Sequence, residues 1–465
     1  MKKVLIAGAT GLVGAKLIET ISLKNDAHIS ILTRDKSKNP FQGSYPLNVF
    51  EWDPDNHFID PRAMEGVDIV INLAGSSIAE GNWNEENKKK ILKSRINSTA
   101  LLVEHINKAN SSVKKLINAS AIGFYGDTGE DMITEKTPKG SGFLSDVCDE
   151  WEKESLKVTN KNCKVNIVRI GLVLSPNGGL LEKILPLFNL GLGGEISHGK
   201  QYMSWIHLTD LVEILIYLMN NLKTENIIYN ATSPRPVSNY IFTKILSKEI
   251  SRPAFFKVPK TILKIALGDK SVLALEGQKV IPKNLLSEGY PFKYRTLKDA
   301  LRDCIIEYKE KKNILLKRLW INEKVDHVFD FFSNEKNLET ITPEYLKFKI
   351  VSMSTTEIEK DSIITYKLKI HGIPVKWISK ISVFEKNKVF VDEQLKGPYK
   401  KWHHTHEFFE LNGGTLMVDT VRFKIPLGIV GDIIMGRFIR KDIRNIFKYR
   451  NQTITKLITT KKEVL

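Results

Sequence analysis

Cysteine is scarce in these 465 residues: Cys148, Cys163 and Cys304 lie far apart and none forms a C-x-x-C pair. That excludes a disulfide framework and a cysteine-built structural zinc site, and it fits a reducing, cytoplasmic setting. Long hydrophobic runs are also missing, with no stretch near the roughly 18 apolar residues of a membrane span. The apolar start after Lys2 and Lys3 is too short and too glycine-rich for a secretory leader. A soluble chain with no integral membrane segment is expected. Acidic charge is in deficit, Lys+Arg 70 against Asp+Glu 53, for a formal charge of +17. The surplus is spread as single lysines, and a basic base-reading helix, zinc-finger spacing and an RNP-like aromatic strand are all lacking. The charge therefore reads as a solvated surface, with no nucleic-acid partner.

What is present suits a globular protein, at 42% hydrophobic and 26% charged residues. At roughly 100 to 200 residues per domain, two or three domains are expected. Val4 to Ala7 is a short buried strand, Gly8 to Gly14 a glycine turn, and Ala15 to Ser22 an amphipathic helix. Further strands at His28–Leu32, Val67–Leu73, Lys115–Ala119 and Lys164–Ile170 alternate with helical segments such as Glu85–Ile106. That alternation implies an α/β doubly wound parallel sheet covered on both faces. Residues 238–305 turn helical and proline-punctuated, a small substrate-side lobe of the 1–305 domain, and the charged run Lys309 to Lys312 falls in an expected linker at 306–314.

Only glycine lets a backbone turn sharply and approach a pyrophosphate closely, and the helix that follows offers free N–H groups to the charge. Gly8, Gly11 and Gly14, with Thr10 between them, have G-x-x-G-x-x-G spacing directly between a strand and a helix, as a nucleotide site requires. The residue closing the second strand separates the two nicotinamide cofactors, because an acidic side chain binds the ribose 2′-OH and a cation accommodates a 2′-phosphate. Here it is Arg34, after Thr33, which favours NADP; the other reading is a surface arginine in a lysine-rich loop.

The G-A-T-G-L-V-G start, Asn72-Leu73-Ala74-Gly75, Trp83 to Arg95, Ser120 to Gly126, Gly191-Leu192-Gly193-Gly194, Ser204-Trp205-Ile206-His207 with Asp210, and Asn230-Ala231-Thr232 occur in order. Together they resemble the atypical extended short-chain dehydrogenase/reductases, in particular the subgroup labelled nucleoside-diphosphate-sugar epimerase or cell-division inhibitor, over about residues 1 to 305. The resemblance implies a Rossmann domain with NADP contacts at Gly8, Thr10, Gly11, Gly14, Thr33, Arg34, Asn72, Leu73 and Arg95. It also implies a Tyr-x-x-x-Lys pair, in which lysine lowers the tyrosine pKa for proton exchange as hydride moves. With Glu152 on the acidic residue that follows that lysine, Leu144 stands for the tyrosine and Cys148 for the lysine, so the pair is absent. The remaining catalytic candidates are Ser120, alternatively a turn serine, and Tyr125, alternatively a packed aromatic. Trp205 and His207 fall in the substrate-side strand, where His207 also reads as a hydrogen-bonded structural residue.

Beyond 315 the pattern changes to seven strands rich in β-branched and aromatic residues and a long terminal helix from Gly431 to Leu457, an α+β domain over 315–465. Lys324 to Phe332, Phe390 to Gln394, Gly397-Pro398-Tyr399 with Trp402 and His403, and the last helix resemble the START-like (SRPBCC) superfamily. That implies a helix-grip fold with an apolar ligand cavity. Phe384, Phe390, Trp402, Phe408 and Phe423 read as core and cavity wall. Among His403, His404 and His406, strand periodicity puts only the last two on one face, and with no third ligand in the neighbouring sequence no metal is expected. The whole reads as an NADP-binding oxidoreductase or epimerase-like protein acting on a small or lipid-like metabolite, the alternative being a non-catalytic NADP-binding sensor.

Overall fold

A strand covered on both faces must be apolar along its length, and Val4 to Ala7 and Ile69 to Asn72 are buried without interruption. The structure, a computed structural model, describes residues 1–222 and 227–460, so the last five residues of the expected second domain lie outside the described residues. It divides into two compact units, Met1–Pro40 with Leu47–Tyr308, and Phe41–Pro46 with Lys309–Leu465.

The first unit is built on β1 (Lys2–Ala7), β2 (Ala27–Thr33), β3 (Asn48–Asp53), β4 (Phe58–Ile59), β5 (Ile69–Asn72), β6 (Lys115–Ala121), β7 (Lys164–Ile170) and β8 (Ile228–Ala231). They form one sheet in the order β8-β7-β6-β5-β1-β2-β3-β4, parallel throughout except for the β3–β4 edge. This is a Rossmann-like sheet. The chain leaves β1 toward β2 on one side and returns to β5 on the other, so a crevice opens at the carboxyl ends of β1 and β5. Helix α1 (Leu12–Lys24) packs on α4 (Leu208–Asn220), and α2 (Glu85–Ile106) on α3 (Phe143–Ser155). Leu101, Leu102 and Ile106 of α2 bury against Leu5, Leu32, Val70 and Leu116 of the strands.

After residue 238 come short helices and then α5 (Leu297–Glu310), packed around Trp205, Phe242, Leu246 and Leu301. The expected linker at 306–314 contains the division between the two units, at Tyr308/Lys309, and is ordered on both sides of it. Buried Leu297, Ala300, Leu301, Cys304 and Ile305 recur at helical spacing and carry α5 to Glu310, and a strand begins at Ile314.

The second unit contains β9 (Ile314–Ile321), β10 (Lys349–Met353), β11 (Ile363–Ile370), β12 (Ile373–Glu385), β13 (Val389–Lys396), β14 (Lys401–Leu411) and β15 (Gly414–Lys424). They form an antiparallel sheet in the order β9-β15-β14-β13-β12-β11-β10. Helix α6 (Val325–Phe332) follows the first strand and α7 (Gly428–Thr460) the last. The aromatics expected as core or cavity wall separate into two groups. Phe384, Phe390 and Phe408 meet Phe329 of α6 edge-on at 5.4, 5.9 and 5.2 Å between centroids, while Trp402 and Phe423 join Tyr399 and Phe447 in another cluster. No helix among the described residues is long and apolar enough to cross a membrane.

One carboxylate ties α4 to the segment that leads into α5. Asp210 is 1% exposed and accepts the backbone N–H groups of Lys293 and Tyr294, each at 2.9 Å. Asp210→Ala leaves two inward-facing donors without acceptors and should destabilise the first unit by about 1–3 kcal/mol, read as a lower denaturant midpoint in chemical unfolding.

Candidate functional site

The glycines of the first turn are set by close approach of backbone to backbone. Gly8 has φ +77°, and a Cβ there would lie 2.5 Å from the Leu73 carbonyl oxygen; one on Gly14 would lie 2.4 Å from the Gly8 oxygen. Gly11 has no such clash, but it is the extended residue before α1 and offers no side chain to cap it. The N–H groups of the first turn of α1 therefore have no side-chain acceptor and, with the positive end of the helix dipole, stand at the β1/β5 crevice. An exposed turn at Thr10 and Gly11, without side chains over an uncapped helix start, fits a dinucleotide pyrophosphate.

The other residues expected at the cofactor differ in how free they are. Thr33 closes a turn with Asp35. Arg34 has a side chain 59% exposed and pairs with Asp55 at 3.2 Å. Asn72 is fully buried, its amide donating to Thr99 Oγ1 at 2.9 Å and Asn118 Oδ1 at 2.8 Å, so its side chain brackets β5, β6 and α2; its backbone pairs with Ala7, and that of Leu73 adjoins Gly8. Arg95 is largely buried, donates to the carbonyls of Ser76 and Ile91 at 3.1 and 3.0 Å, and lies over the Trp151 ring. Burial lowers its pKa, and among the described residues no carboxylate pairs with it.

Leu144, Cys148 and Glu152 recur every four residues on α3, a spacing that keeps them on one helix face. Burial, followed by Glu152, pushes the Cys148 thiol up to about 11, so it stays neutral at physiological pH. Glu152 instead anchors a buried network. Arg169 of β7 binds both its oxygens, Nε to Oε1 at 2.8 Å and a terminal nitrogen to Oε2 at 2.7 Å, and Ser120 Oγ donates to Oε1 at 2.5 Å. The other terminal nitrogen of Arg169 donates to the Tyr125 oxygen at 2.9 Å, and the Tyr125 hydroxyl donates to Asn230 Oδ1 at 2.8 Å. Ser120 and Tyr125 are each 2% exposed, and burial raises the Tyr125 pKa against the opposing pull of Arg169. The two catalytic candidates are thus brought together through Glu152 and Arg169, with both hydroxyls directed inward. Arg169 escaped the sequence reading, although an arginine inside the apolar strand KVNIVRI signals a buried partner.

Trp205 and His207 are elsewhere. Trp205 has no exposed surface and donates to the Arg235 carbonyl at 3.1 Å. His207 caps α4, its Nδ1 accepting the Thr209 N–H at 3.2 Å, and burial drives its pKa down to about 4. Both side chains, expected on the substrate side, lie in the packed interior.

A cavity of about 310 Å³ lies beside the network, lined by Gly123, Gly126, Phe143, Leu144, Lys88 and Glu276 among others. Leu144, at the missing tyrosine's position, is part of its wall, and Trp205 and His207 are not. Lys88 pairs with Asp269 at 2.8 Å, and burial followed by Asp127 raises the Glu276 pKa. The lining is mixed apolar and charged, and its volume suits a small ligand.

The model of the NAD dependent epimerase/dehydratase family matches residues 4–232, and that of a domain of unknown function (DUF1731) matches 258–304. The Arabidopsis thaliana epimerase family protein SDR39U1 homolog, chloroplastic, is 37% identical over 306 residues, which span 64% of this chain and 85% of the relative. The Mycobacterium tuberculosis (strain CDC 1551 / Oshkosh) epimerase family protein MT2273 is 34% identical over 301 residues, 64% of this chain and 96% of the relative. Among solved structures, human epimerase family protein SDR39U1 (isoform2) with NADPH is similar at TM-score 0.59 and 28% identity, over 65% of this chain and 98% of that one.

Removing one member of a buried ion pair costs about 3–5 kcal/mol, because the other charge is stranded. Glu152→Gln should therefore lose stability on that scale in chemical denaturation, and Glu152→Gln/Arg169→Met should recover a large part of the loss.

Proposed function

The chain belongs to the NAD-dependent epimerase/dehydratase family, and from that premise we propose that it is an NADP(H)-dependent oxidoreductase or epimerase-like protein acting on a small metabolite held in the cavity beside Leu144. The observation that carries the reading is the uncapped start of α1 behind the Gly8–Gly14 turn, which offers backbone donors to a pyrophosphate at the β1/β5 crevice. Thr33, Arg34, the backbone of Asn72 and Leu73, and Arg95 complete the proposed cofactor contacts. Arg34 supports NADP over NAD: it is an exposed surface cation whose partner, Asp55, is itself half exposed, and the human relative was solved with NADPH. When bound, the nicotinamide supplies or accepts hydride; the protein's part is to hold the ring and ligand together and to manage the proton.

Proton handling separates two readings. In the first, Tyr125 exchanges the proton, with Arg169 stabilising its phenolate and Ser120 polarising a carbonyl. In the second, the protein is a non-catalytic NADP(H) sensor. The inward commitment of both hydroxyls, 2.8 Å to Asn230 and 2.5 Å to Glu152, favours the second. For the second unit the seven-stranded sheet and long last helix support a START-like module binding an apolar or lipid-like ligand. The three buried free thiols support a cytoplasmic setting.

NADPH should bind about tenfold to a hundredfold more tightly than NADH, the range of one charge-assisted contact, and Arg34→Ala should remove most of that preference in calorimetry while sparing NADH. Equal affinities in the unaltered protein would reject the NADP assignment. NADPH oxidation across a metabolite panel decides the proton question: Tyr125→Phe should cut turnover roughly 10²- to 10⁴-fold if Tyr125 is the acid. No turnover with NADPH still bound assigns the sensor.

A further inference from the structure

Strand pairing brings together three side chains that are 15 positions apart in sequence at most. On β14 and β15, His406 stands opposite Asp419 and His404 opposite Val421, while β13 puts Asp392 opposite His404. Directly opposed residues share a face of a sheet, so His404, His406, Asp419 and Asp392 project from the same side. That side meets α7, whose Phe447 ring lies 5.3 Å from that of His404. His404, His406 and Asp419 are 4%, 3% and 0% exposed. His403 points the other way and pairs with Glu393 at 2.7 Å. The third ligand that the local sequence does not show is therefore supplied by the neighbouring strand.

His404 Nε2 and His406 Nδ1 lie 3.2 and 2.7 Å from the same oxygen, Asp419 Oδ1, and one ligand atom from each residue falls within 4.8 Å of the other two. Donors bound to one ion at about 2.0–2.2 Å sit about 3 Å apart along the edges of its coordination shell, close to these separations. Hydrogen bonding leaves the group incomplete. Among the described residues His406 Nδ1, despite its closeness to Asp419, makes no well-directed hydrogen bond, and neither Asp419 Oδ2 nor Asp392 Oδ1 has a partner, although all are buried. Polar atoms this deeply buried are ordinarily satisfied, and three unsatisfied ones on one face call for a bound group.

We propose that His404, His406 and Asp419 form a binding site for a divalent first-row transition ion of the zinc or iron(II) class. Two imidazoles and one carboxylate are the donor set that holds such ions while leaving positions open for further ligands; magnesium and calcium prefer oxygen throughout. Arg450, buried, lies within electrostatic reach of both Asp392 and Asp419. Two neutral imidazoles and one carboxylate neutralise one of the ion's two positive charges, and the open positions suit an anionic ligand, a hydroxide or the carboxylate of a bound molecule. This site is independent of the dinucleotide reading, and each stands if the other fails.

The test uses the full chain, stripped with a chelator and titrated with cobalt(II) for its visible absorption and with zinc(II) in a calorimeter. One ion per chain is expected, with ligand-field bands of a nitrogen/oxygen site and a higher melting temperature on loading. His406→Gln and Asp419→Asn should weaken binding by more than the roughly 10- to 100-fold that loss of an outer partner costs, and His403→Gln should leave it unchanged. Circular dichroism selects the folded variants, and either one suffices. The proposal is overturned by an absence of stoichiometric binding, by folded variants that bind as the parent does, or by a thiolate-to-cobalt band, which would place the ion on a cysteine.

Discussion

Arg169 reaches Glu152 with two parallel hydrogen bonds in the interior of the first unit, and much of the surrounding architecture takes its position from that contact. The pair joins α3 to β7. Through Ser120 it fixes the carboxyl end of β6, and through Tyr125 and Asn230 it fixes the loop after β6 and the strand β8. A salt bridge this deeply buried is stable only when its remaining hydrogen-bonding capacity is met, and the serine and the tyrosine supply that, while the Phe124 ring, its centroid 3.5 Å from the guanidinium carbon, adds a cation–π contact. Gly123 and Gly126, which flank Phe124 and Tyr125, and Leu144, two turns before Glu152 on α3, line the cavity, so the network holds the segments that carry its wall.

That requirement also bears on the missing Tyr-x-x-x-Lys pair. A lysine at position 148 would bring a second cation beside Arg95; the neutral Cys148 adds none, and Leu144 leaves an apolar wall where a phenol would stand. The site therefore has a cation and a phenol, but they face each other across a hydrogen bond and away from the space where a ligand fits.

How much could be read from sequence follows from how local each signal is. The glycine turn, its strand and its helix are contiguous, and Gly8, Gly11 and Gly14 show their spacing directly. The strands of the second unit were legible by alternation, several starting a few residues earlier in the structure, as with Ile373 for Trp377 and Lys401 for Thr405. The Glu152 network was not legible, because its members come from β6, the loop after it, α3, β7 and β8, and only the sheet order brings them together. Asp419 escaped for a similar reason: a histidine pair on one strand is visible by period two, whereas the carboxylate opposite requires the register of the next strand. The charged run Lys309 to Lys312 marks the place where the two units divide, at Tyr308/Lys309, but it conceals that α5 continues as far as Glu310.

The three cysteines sit in different parts of the first unit: Cys163 under α2 with Leu116, Cys304 among the lobe residues with Leu301, and Cys148 against Phe124 and Tyr125. Each is closed to solvent, and burial pushes the thiols up to about 11 for Cys148 and Cys163 and about 12 for Cys304. A thiolate-seeking reagent meets neither an accessible sulfur nor an ionised one while the fold is intact. Their alkylation rates consequently clock separate opening events: the sheet layer, the helical lobe and the packing of α3 on Phe124 and Tyr125 each carry a built-in chemical label.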